Sequence, residues 1–150
     1  MTRRVEFAET DMAGIMHFSN YFRYLESAEH AFFRSLGLNV HQNAGGKGPM
    51  LGWARVQASC DYLAPLRYQD EVEVHLQVEA KGSKSISYRA EFRLPDPEGS
   101  PLIVARARWK VVCVSKSQGE DSMHSVAIPP DVDAALQVAP PETSETHKDS

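Results

Sequence analysis

The sequence predicts a two-layer α+β domain in which one long helix covers one face of an antiparallel sheet. Two observations predict this fold class. Apolar residues recur at helical spacing over about residues 20–36, and beyond residue 50 the apolar period changes to two in four successive segments. Consecutive strands joined by tight turns form an antiparallel meander, and the long helix is available to cover one face of it.

The helix is predicted from a continuous apolar face. The residues of this face follow one another at steps of four, three, four and four: Tyr21, Leu25, Ala28, Phe32 and Leu36. Ser19 or Asn20 is suited to the N-cap, because a short polar side chain can accept a hydrogen bond from the first turn. Gly37 is suited to the left-handed position that follows a helix, so we expect the helix to end near residue 36.

Five segments have the pattern of strands. They are a short edge segment at 3–8 and four longer segments at 51–63, 71–80, 85–94 and 102–114. The second of the longer segments alternates most clearly, and its expected inward-facing residues are Val72, Val74, Leu76 and Val78. Turn residues follow this strand and the next one, so these strands should pair as neighbours.

We expect a single domain over residues 1–138, because 150 residues is the usual size of one domain. Residues 131–138 are expected to form one short helix. Residues 139–150 contain two prolines and many acidic and small polar residues. Such a composition cannot bury a core, so this tail is expected to be disordered.

Composition excludes several classes of protein. The net charge of −4 argues against a nucleic-acid binder, which usually carries a basic surface. No run of 18 apolar residues is present, so no membrane span is expected. Arg3 and Arg4 are followed by polar residues rather than by the apolar core of a signal peptide, so the expected compartment is the cytoplasm. Cys60 and Cys113 lie in apolar segments and are interpreted as buried free thiols.

The segment just before the predicted helix carries the candidate chemistry. Asp11 lies upstream of the helix N-terminus, and Gly14 allows the chain to turn sharply between them. A helix N-terminus offers unpaired backbone N–H groups and a partial positive charge, here near Phe18. Asp11 could then act on a carbonyl as a nucleophile or as a general base for water. No Cys/His metal cluster and no Gly-x-Ser-x-Gly elbow is present.

This segment resembles the signature of the 4-hydroxybenzoyl-CoA thioesterase family. The matching residues are Asp11, Gly14, Ile15, Met16, Asn20 and Tyr21. The likeness covers about residues 4–114 and includes a Tyr-x-Asp turn at Tyr68 and Asp70. It implies the hotdog fold, an antiparallel sheet wrapped around one long central helix. It also implies hydrolysis of an acyl-CoA thioester without metal or organic cofactor, in a homodimer or homotetramer.

The resemblance also implies roles for individual residues. Asp11 would be catalytic, the backbone N–H of Phe18 would polarise the carbonyl, and Glu26 would support them. Gly14, His17 and Tyr21 would contact the substrate, and the turn lysines Lys81 and Lys84 would contact the nucleotide end of CoA. Each residue also has a simpler interpretation. Asp is common in turns, and an exposed Glu or Lys is often only a solvated charge.

Two alternatives stay open. The first is a hotdog dehydratase or hydratase, in which His17 would act with an acidic residue. The second is a hotdog module that binds acyl-CoA without catalysis. The sequence also leaves open whether the acyl group is aryl or aliphatic.

Overall fold

The computed structural model describes residues 1–42, 48–117, 119 and 121–141. The elements are β1 (Thr2–Arg4), a 3₁₀ turn (Phe7–Glu9), α1 (Ser19–Ser35), β2 (Met50–Tyr62), β3 (Glu71–Lys81), β4 (Ser85–Leu94), β5 (Leu102–Lys116), β6 (His124–Ser125) and α2 (Pro130–Ala135). All strand pairs are antiparallel, in the order β1-β3-β4-β5-β2, with β6 on β5. The predicted two-layer arrangement is confirmed. The predicted meander holds for β3, β4 and β5, but it is wrong for β2, which pairs with β5 at the edge of the sheet and not with β3. Of the described helices, none is long and apolar enough to cross a membrane.

Helix α1 begins at Ser19, which is itself one of the two predicted caps. Ser19 and Asn20 both lie within the helix, and Phe18 precedes it with helical backbone angles. The prediction of a Ser or Asn cap is therefore wrong. At the other end, Gly37 adopts a φ of 71°. The Leu38 N–H donates to the carbonyl oxygen five residues earlier at 2.9 Å, which confirms the predicted left-handed end.

The core lies between α1 and the inner face of the sheet. From α1, the buried residues are Tyr21, Tyr24, Leu25, Ala28, Glu29 and Phe33. The Tyr21 ring contacts Phe92 on β4 edge to face, and Phe33 contacts Trp53 on β2 in the same way. On β3, the predicted alternation holds for Val72, Val74 and Val78, which are buried, while Leu76 is only partly buried.

The interior contains one charged residue that the helical pattern did not predict. The Glu29 side chain is fully buried and receives a hydrogen bond from Arg55 Nη2 at 2.6 Å. The pairing of β2 with β5 shifts by one residue between Arg55 and Gln57. A bulge of this kind redirects the side chains beside it, and the Arg55 guanidinium contacts Glu29 next to this bulge. Burial raises the pKa of the Glu29 carboxyl, and the Arg55 charge opposes that rise.

The segment after β5 folds back onto the sheet, which was not predicted from the sequence. Its buried residues are Ile128, Val132 and Leu136. Beyond them, the Ala139 N–H donates to the Val78 carbonyl oxygen at 2.8 Å, and Arg89 donates to the Pro140 carbonyl oxygen at 2.6 Å. The expectation of disorder from residue 139 is therefore wrong for Ala139 and Pro140. Residues 142–150 lie outside the described residues, and for them it stays a prediction.

The two edges of the sheet differ. The β3 edge is covered by the three-residue strand β1 and, at Val78, by the C-terminal segment. On β2, Leu51 bridges to Gln42, but the rest of this 13-residue strand has no strand on its outer side among the described residues. Val56 and Tyr62 on β2 are exposed. A long edge strand without a neighbour is a template for pairing with another chain.

We expect Arg55→Met to lower the free energy of unfolding by about 3 kcal/mol, because it leaves the Glu29 carboxylate buried without its partner. The loss should be larger at about pH 8 than at about pH 5. A carboxyl whose folded-state pKa is raised loses stability as pH rises above its unfolded-state pKa, and removing Arg55 raises that pKa further. Urea unfolding at both pH values measures the difference.

The matched control is Arg4→Met, which breaks an ion pair of the same length, 2.6 Å, between exposed side chains. This variant should lower the free energy of unfolding by less than about 1 kcal/mol. Equal costs for the two variants, or no pH dependence for Arg55→Met, would contradict the assignment of a buried charge to Glu29.

Candidate active site

Asp11 heads a tight turn ahead of α1. Its N–H donates to the Ile15 carbonyl oxygen at 3.0 Å, and its own carbonyl oxygen accepts the Gly14 N–H at 2.9 Å. Gly14 adopts a φ of 75°, a backbone conformation that favours glycine. The Asp11 carboxylate accepts the Ala13 N–H at 2.8 Å and is exposed to solvent. One carboxylate oxygen is therefore used locally, and the side chain is accessible to a ligand.

The end of α1 next to this turn has an unpaired donor. The His17 N–H donates to the Glu9 carbonyl oxygen at 2.9 Å, and the Met16 N–H donates to Leu66 at 2.7 Å. These bonds tie the residues before the helix to the rest of the molecule. The Phe18 N–H has no hydrogen-bond partner among the residues that the structure describes. It lies where the helix dipole is positive, so it can donate to a ligand oxygen.

His17 contacts the backbone and side chain of the first helical turn. Its Nδ1 accepts the Ser19 N–H at 3.3 Å and lies 2.7 Å from the Ser19 hydroxyl. The bond from the backbone N–H requires a lone pair on Nδ1, which leaves the proton of a neutral ring on Nε2. The ring also packs against Phe18 at 4.5 Å between centroids. His17 thus acts as the helix cap that Ser19 and Asn20 were expected to supply.

Aromatic residues form the wall beside Phe18. Tyr21 is buried, and its ring contacts Tyr62 edge to face at 5.0 Å between centroids. The Tyr62 hydroxyl donates to the Phe18 carbonyl oxygen at 3.3 Å. Burial raises the pKa of Tyr21 to about 12, so this residue is a neutral wall group near pH 7. Tyr62 was not among the predicted site residues, because its position beside Phe18 depends on long-range packing of β2.

Cys60 lies near this wall but is not suited to be the nucleophile. Burial raises the pKa of its thiol to about 11. A thiol must be deprotonated to attack a carbonyl efficiently, so very little of Cys60 is reactive near pH 7. Among the residues that the structure describes, no three His, Cys, Asp or Glu side chains are grouped so as to hold a metal ion.

Glu26 is not brought to the Asp11 turn within one protomer. Its side chain is exposed on α1, and Glu26 lies eight residues after Phe18, which corresponds to about 12 Å of helix. Within one chain, Glu26 therefore does not contact the Asp11 turn that it was expected to support. Glu29, one turn further along, is the acidic residue that α1 buries.

The two turn lysines lie against the C-terminal segment. Lys81 Nζ is 2.7 Å from the carbonyl oxygen and 3.0 Å from Oδ1 of Asp133 on α2. Lys84 Nζ makes only long contacts, of 3.4 and 3.5 Å, with Ser125. The sequence did not predict that α2 would fold over this turn. The Lys81 ammonium is thus paired with Asp133 of the same chain, while Lys84 makes weaker contacts.

Comparison with known proteins fits this architecture. The sequence profile of the thioesterase-like superfamily matches residues 5–136. The chain belongs to the thioesterase-like superfamily. It is 46% identical over 77 residues to a protein of Aquifex aeolicus. The match covers 51% of this chain and 58% of that protein.

A second relative has a defined activity. The thioesterase-like chain is 25% identical over 131 residues to the 4-hydroxybenzoyl-CoA thioesterase of Pseudomonas sp. strain CBS-3, covering 87% of this chain and 92% of that enzyme. The solved structure of that Pseudomonas enzyme superposes with a TM-score of 0.79 at 24% identity, over 91% of this chain and 96% of the other. At this identity the superposition shows the fold, and the predicted hotdog arrangement is confirmed.

The crystal structure of a hypothetical protein from Aquifex aeolicus gives a similar result. It superposes with a TM-score of 0.73 at 32% identity, covering 91% of this thioesterase-like chain and 98% of that protein. The profile match confirms the sequence-based assignment to a thioesterase family, and the superpositions confirm the hotdog fold.

Proposed function

We propose that the protein hydrolyses an acyl-CoA thioester to free CoA and a carboxylic acid. The observations that carry this proposal are the accessible Asp11 carboxylate, in the turn that precedes α1, and the unpaired Phe18 N–H at the start of that helix. A thioester carbonyl needs an oxygen nucleophile and a donor where negative charge develops on its oxygen. Membership of the thioesterase-like superfamily supports the same chemistry.

In this mechanism the Phe18 N–H and the positive end of α1 polarise the thioester carbonyl. Asp11 then acts in one of two ways. As a nucleophile, its carboxylate oxygen attacks the carbonyl carbon, the C–S bond breaks, and water hydrolyses the resulting mixed anhydride. As a general base, it takes a proton from water, whose oxygen attacks the same carbon, and the CoA sulfur leaves and is protonated. Both routes end in the same products.

The substrate pocket is assigned to the residues around this turn. Gly14 lets the backbone approach the thioester, and His17, Tyr21 and Tyr62 supply the wall. Edge-to-face aromatic walls suit a flat acyl group, and the Pseudomonas relative acts on a 4-hydroxybenzoyl thioester. We therefore assign an aryl-CoA as the substrate class, with an aliphatic acyl-CoA as the alternative outcome of a substrate panel.

The hydratase alternative is less well supported. It needs His17 as an acid or base, and with Nδ1 accepting the Ser19 N–H the neutral ring has only an Nε2–H, which can donate a proton but cannot accept one. The non-catalytic alternative, a module that only binds acyl-CoA, gives no role to an accessible carboxylate beside an unpaired N–H. A free-thiol assay run beside a hydration assay separates the three.

The active unit is proposed to be a homodimer formed through β2. The edge of this strand is uncovered from Gly52 onward among the described residues, and its exposed apolar residues include Val56. Tyr62, at the end of the same strand, contacts Phe18. Pairing of two β2 strands would therefore bring a partner subunit beside each Asp11 turn. A tetramer would be a dimer of such dimers.

We expect Asp11→Asn to lower kcat by roughly 10²–10⁴, the usual contribution of one positioned acid or base. The amide keeps the size and the turn hydrogen bond but can neither attack the carbonyl nor accept a proton. Thermal stability and substrate binding should stay near wild type. Release of free thiol from a panel of aryl- and alkyl-CoA esters measures the effect.

The matched control is Glu26→Gln, which neutralises an exposed carboxylate on α1. Its effect on kcat should be much smaller than that of Asp11→Asn. If Asp11→Asn keeps more than about a tenth of the wild-type turnover, Asp11 is only a turn residue and another group carries the chemistry.

We expect light scattering to give at least twice the chain mass of 16.7 kDa for the wild-type protein. Val56→Arg should shift the protein towards monomer, because it places a charge on the proposed β2 interface. The control is Leu102→Arg on β5, where the wild-type side chain is 54% exposed against 59% for Val56. This variant should leave the measured mass unchanged. A monomeric wild-type mass would overturn the dimer.

The basic turn gives a separate expectation. Lys84→Ala should raise KM and leave kcat nearly unchanged if this residue contacts the phosphates of CoA, because remote contacts bind ground and transition states alike. Added salt should have the same effect. Lys81→Ala should change KM less, since Asp133 already holds that ammonium. Unchanged KM in both variants would place the phosphates elsewhere.

A further inference from the structure

Glu9 occupies a central position that the mechanism above does not use. It ends the 3₁₀ turn at Phe7–Glu9, two residues before Asp11. Its carboxylate oxygen Oε2 accepts the Tyr24 hydroxyl at 2.5 Å and the Glu6 N–H at 2.9 Å. The other oxygen, Oε1, lies 3.5 Å from the Arg3 guanidinium. One side chain therefore joins β1, the 3₁₀ turn and the second turn of α1.

The main chain of Glu9 makes a second attachment to the helix. Its carbonyl oxygen accepts the His17 N–H at 2.9 Å and the Asn20 side-chain amide at 2.8 Å. Asn20 and Tyr24 are four residues apart and lie on one side of α1. Two attachments, one to the backbone and one to the side chain of Glu9, restrict both the distance and the rotation of this residue relative to the helix.

The side-chain attachment is well shielded from water. Tyr24 is fully buried, and the Arg3 guanidinium lies over its ring, 4.6 Å from the centroid. Burial raises the pKa of the Tyr24 hydroxyl, and the hydrogen bond to Glu9 raises it further. The hydroxyl therefore stays protonated and donates. Its contact with the Arg4 carbonyl oxygen is longer, at 3.4 Å, so the Glu9 carboxylate is its main acceptor.

By contrast, Asp11 is held only by its own turn. The bonds described for it are to Ala13, Gly14 and Ile15. These bonds fix the shape of the turn but not its position relative to α1. The Phe18 N–H, on the other hand, moves with the helix. The relative position of the carboxylate and the donor therefore depends on what holds the two ends of the turn. Residues 16–18 join the turn to the helix, and Glu9, just before the turn, is bonded both to His17 and to Tyr24.

We propose that Glu9 is a positioning residue that holds the Asp11 carboxylate at the correct distance from the Phe18 N–H. This inference rests on the proposed thioesterase function and deepens it. Catalysis by positioned groups is sensitive to displacement, and an error of about 1 Å can cost about 10²-fold in rate. Loss of the Glu9 carboxylate would free the 3₁₀ turn from Tyr24 and allow a displacement of this size.

A double-mutant cycle tests the proposal. Glu9→Ala should lower kcat by about 10- to 100-fold with a small change in KM, because the turn is displaced while the pocket remains. Glu9→Gln should recover most of the loss, since an amide oxygen can still accept the Tyr24 hydroxyl. In the Asp11→Asn background, Glu9→Ala should lower kcat little further, because the carboxylate that Glu9 positions is already absent.

The control variant is Glu71→Ala, which removes an exposed partner of Arg4 on the same edge of the sheet and should leave kcat unchanged. If Glu9→Ala fails to fold, Tyr24→Phe takes its place, with an expected kcat loss of several-fold that also disappears in the Asp11→Asn background.

The outcomes separate this proposal from the proposed function. An equal fold-loss from Glu9→Ala in both backgrounds, or an unchanged kcat in folded Tyr24→Phe, would overturn the positioning role and leave the catalytic role of Asp11 intact. A high residual turnover of Asp11→Asn would instead overturn the catalytic role of Asp11, and a wild-type protein that releases no thiol from any acyl-CoA would overturn the proposed function.

Discussion

Burial of one face of α1 against the sheet is the constraint on which the rest of the molecule depends. Tyr21, Leu25 and Phe33 face the inner surface of the sheet, which fixes the position of the helix and of its N-terminal end. The N-terminal end carries the unpaired Phe18 N–H. The turn that carries Asp11 lies just before this end. In the proposed mechanism, the position of Asp11 relative to the Phe18 N–H therefore depends on how α1 packs in the core.

The interior also contains polar groups that packing alone does not explain. Glu29, Tyr88 and Trp109 each have a buried polar atom without a hydrogen-bond partner among the described residues. The Arg55 side chain reaches Glu29 beside the β2 bulge, so the ion pair joins the helix to the edge strand that we propose as the dimer contact. A buried pair is weak evidence for stability but can fix one arrangement of the elements that it joins.

Much of the architecture could be predicted because it follows from local pattern. The helix, the strand alternation and the glycine end at Gly37 depend on residues close together in sequence, and so does the Asp11 turn. The positions of Tyr62, Lys81 and Glu9 could not be predicted in the same way. Their partners lie 44, 52 and 15 residues away, and no local period reports such contacts. The expected Ser or Asn cap is absent, and the His17 ring nitrogen accepts a different N–H of the first helical turn, that of Ser19.

The proposed mechanism requires the Asp11 turn and the Phe18 N–H to act on one thioester carbonyl. A crystal structure of the Asp11→Asn variant with an intact aryl-CoA ester tests it most directly. We expect the thioester oxygen about 3 Å from the Phe18 nitrogen, with the substituted amide side chain next to the carbonyl carbon or to a water that faces it. A thioester bound away from the start of α1 would contradict this mechanism.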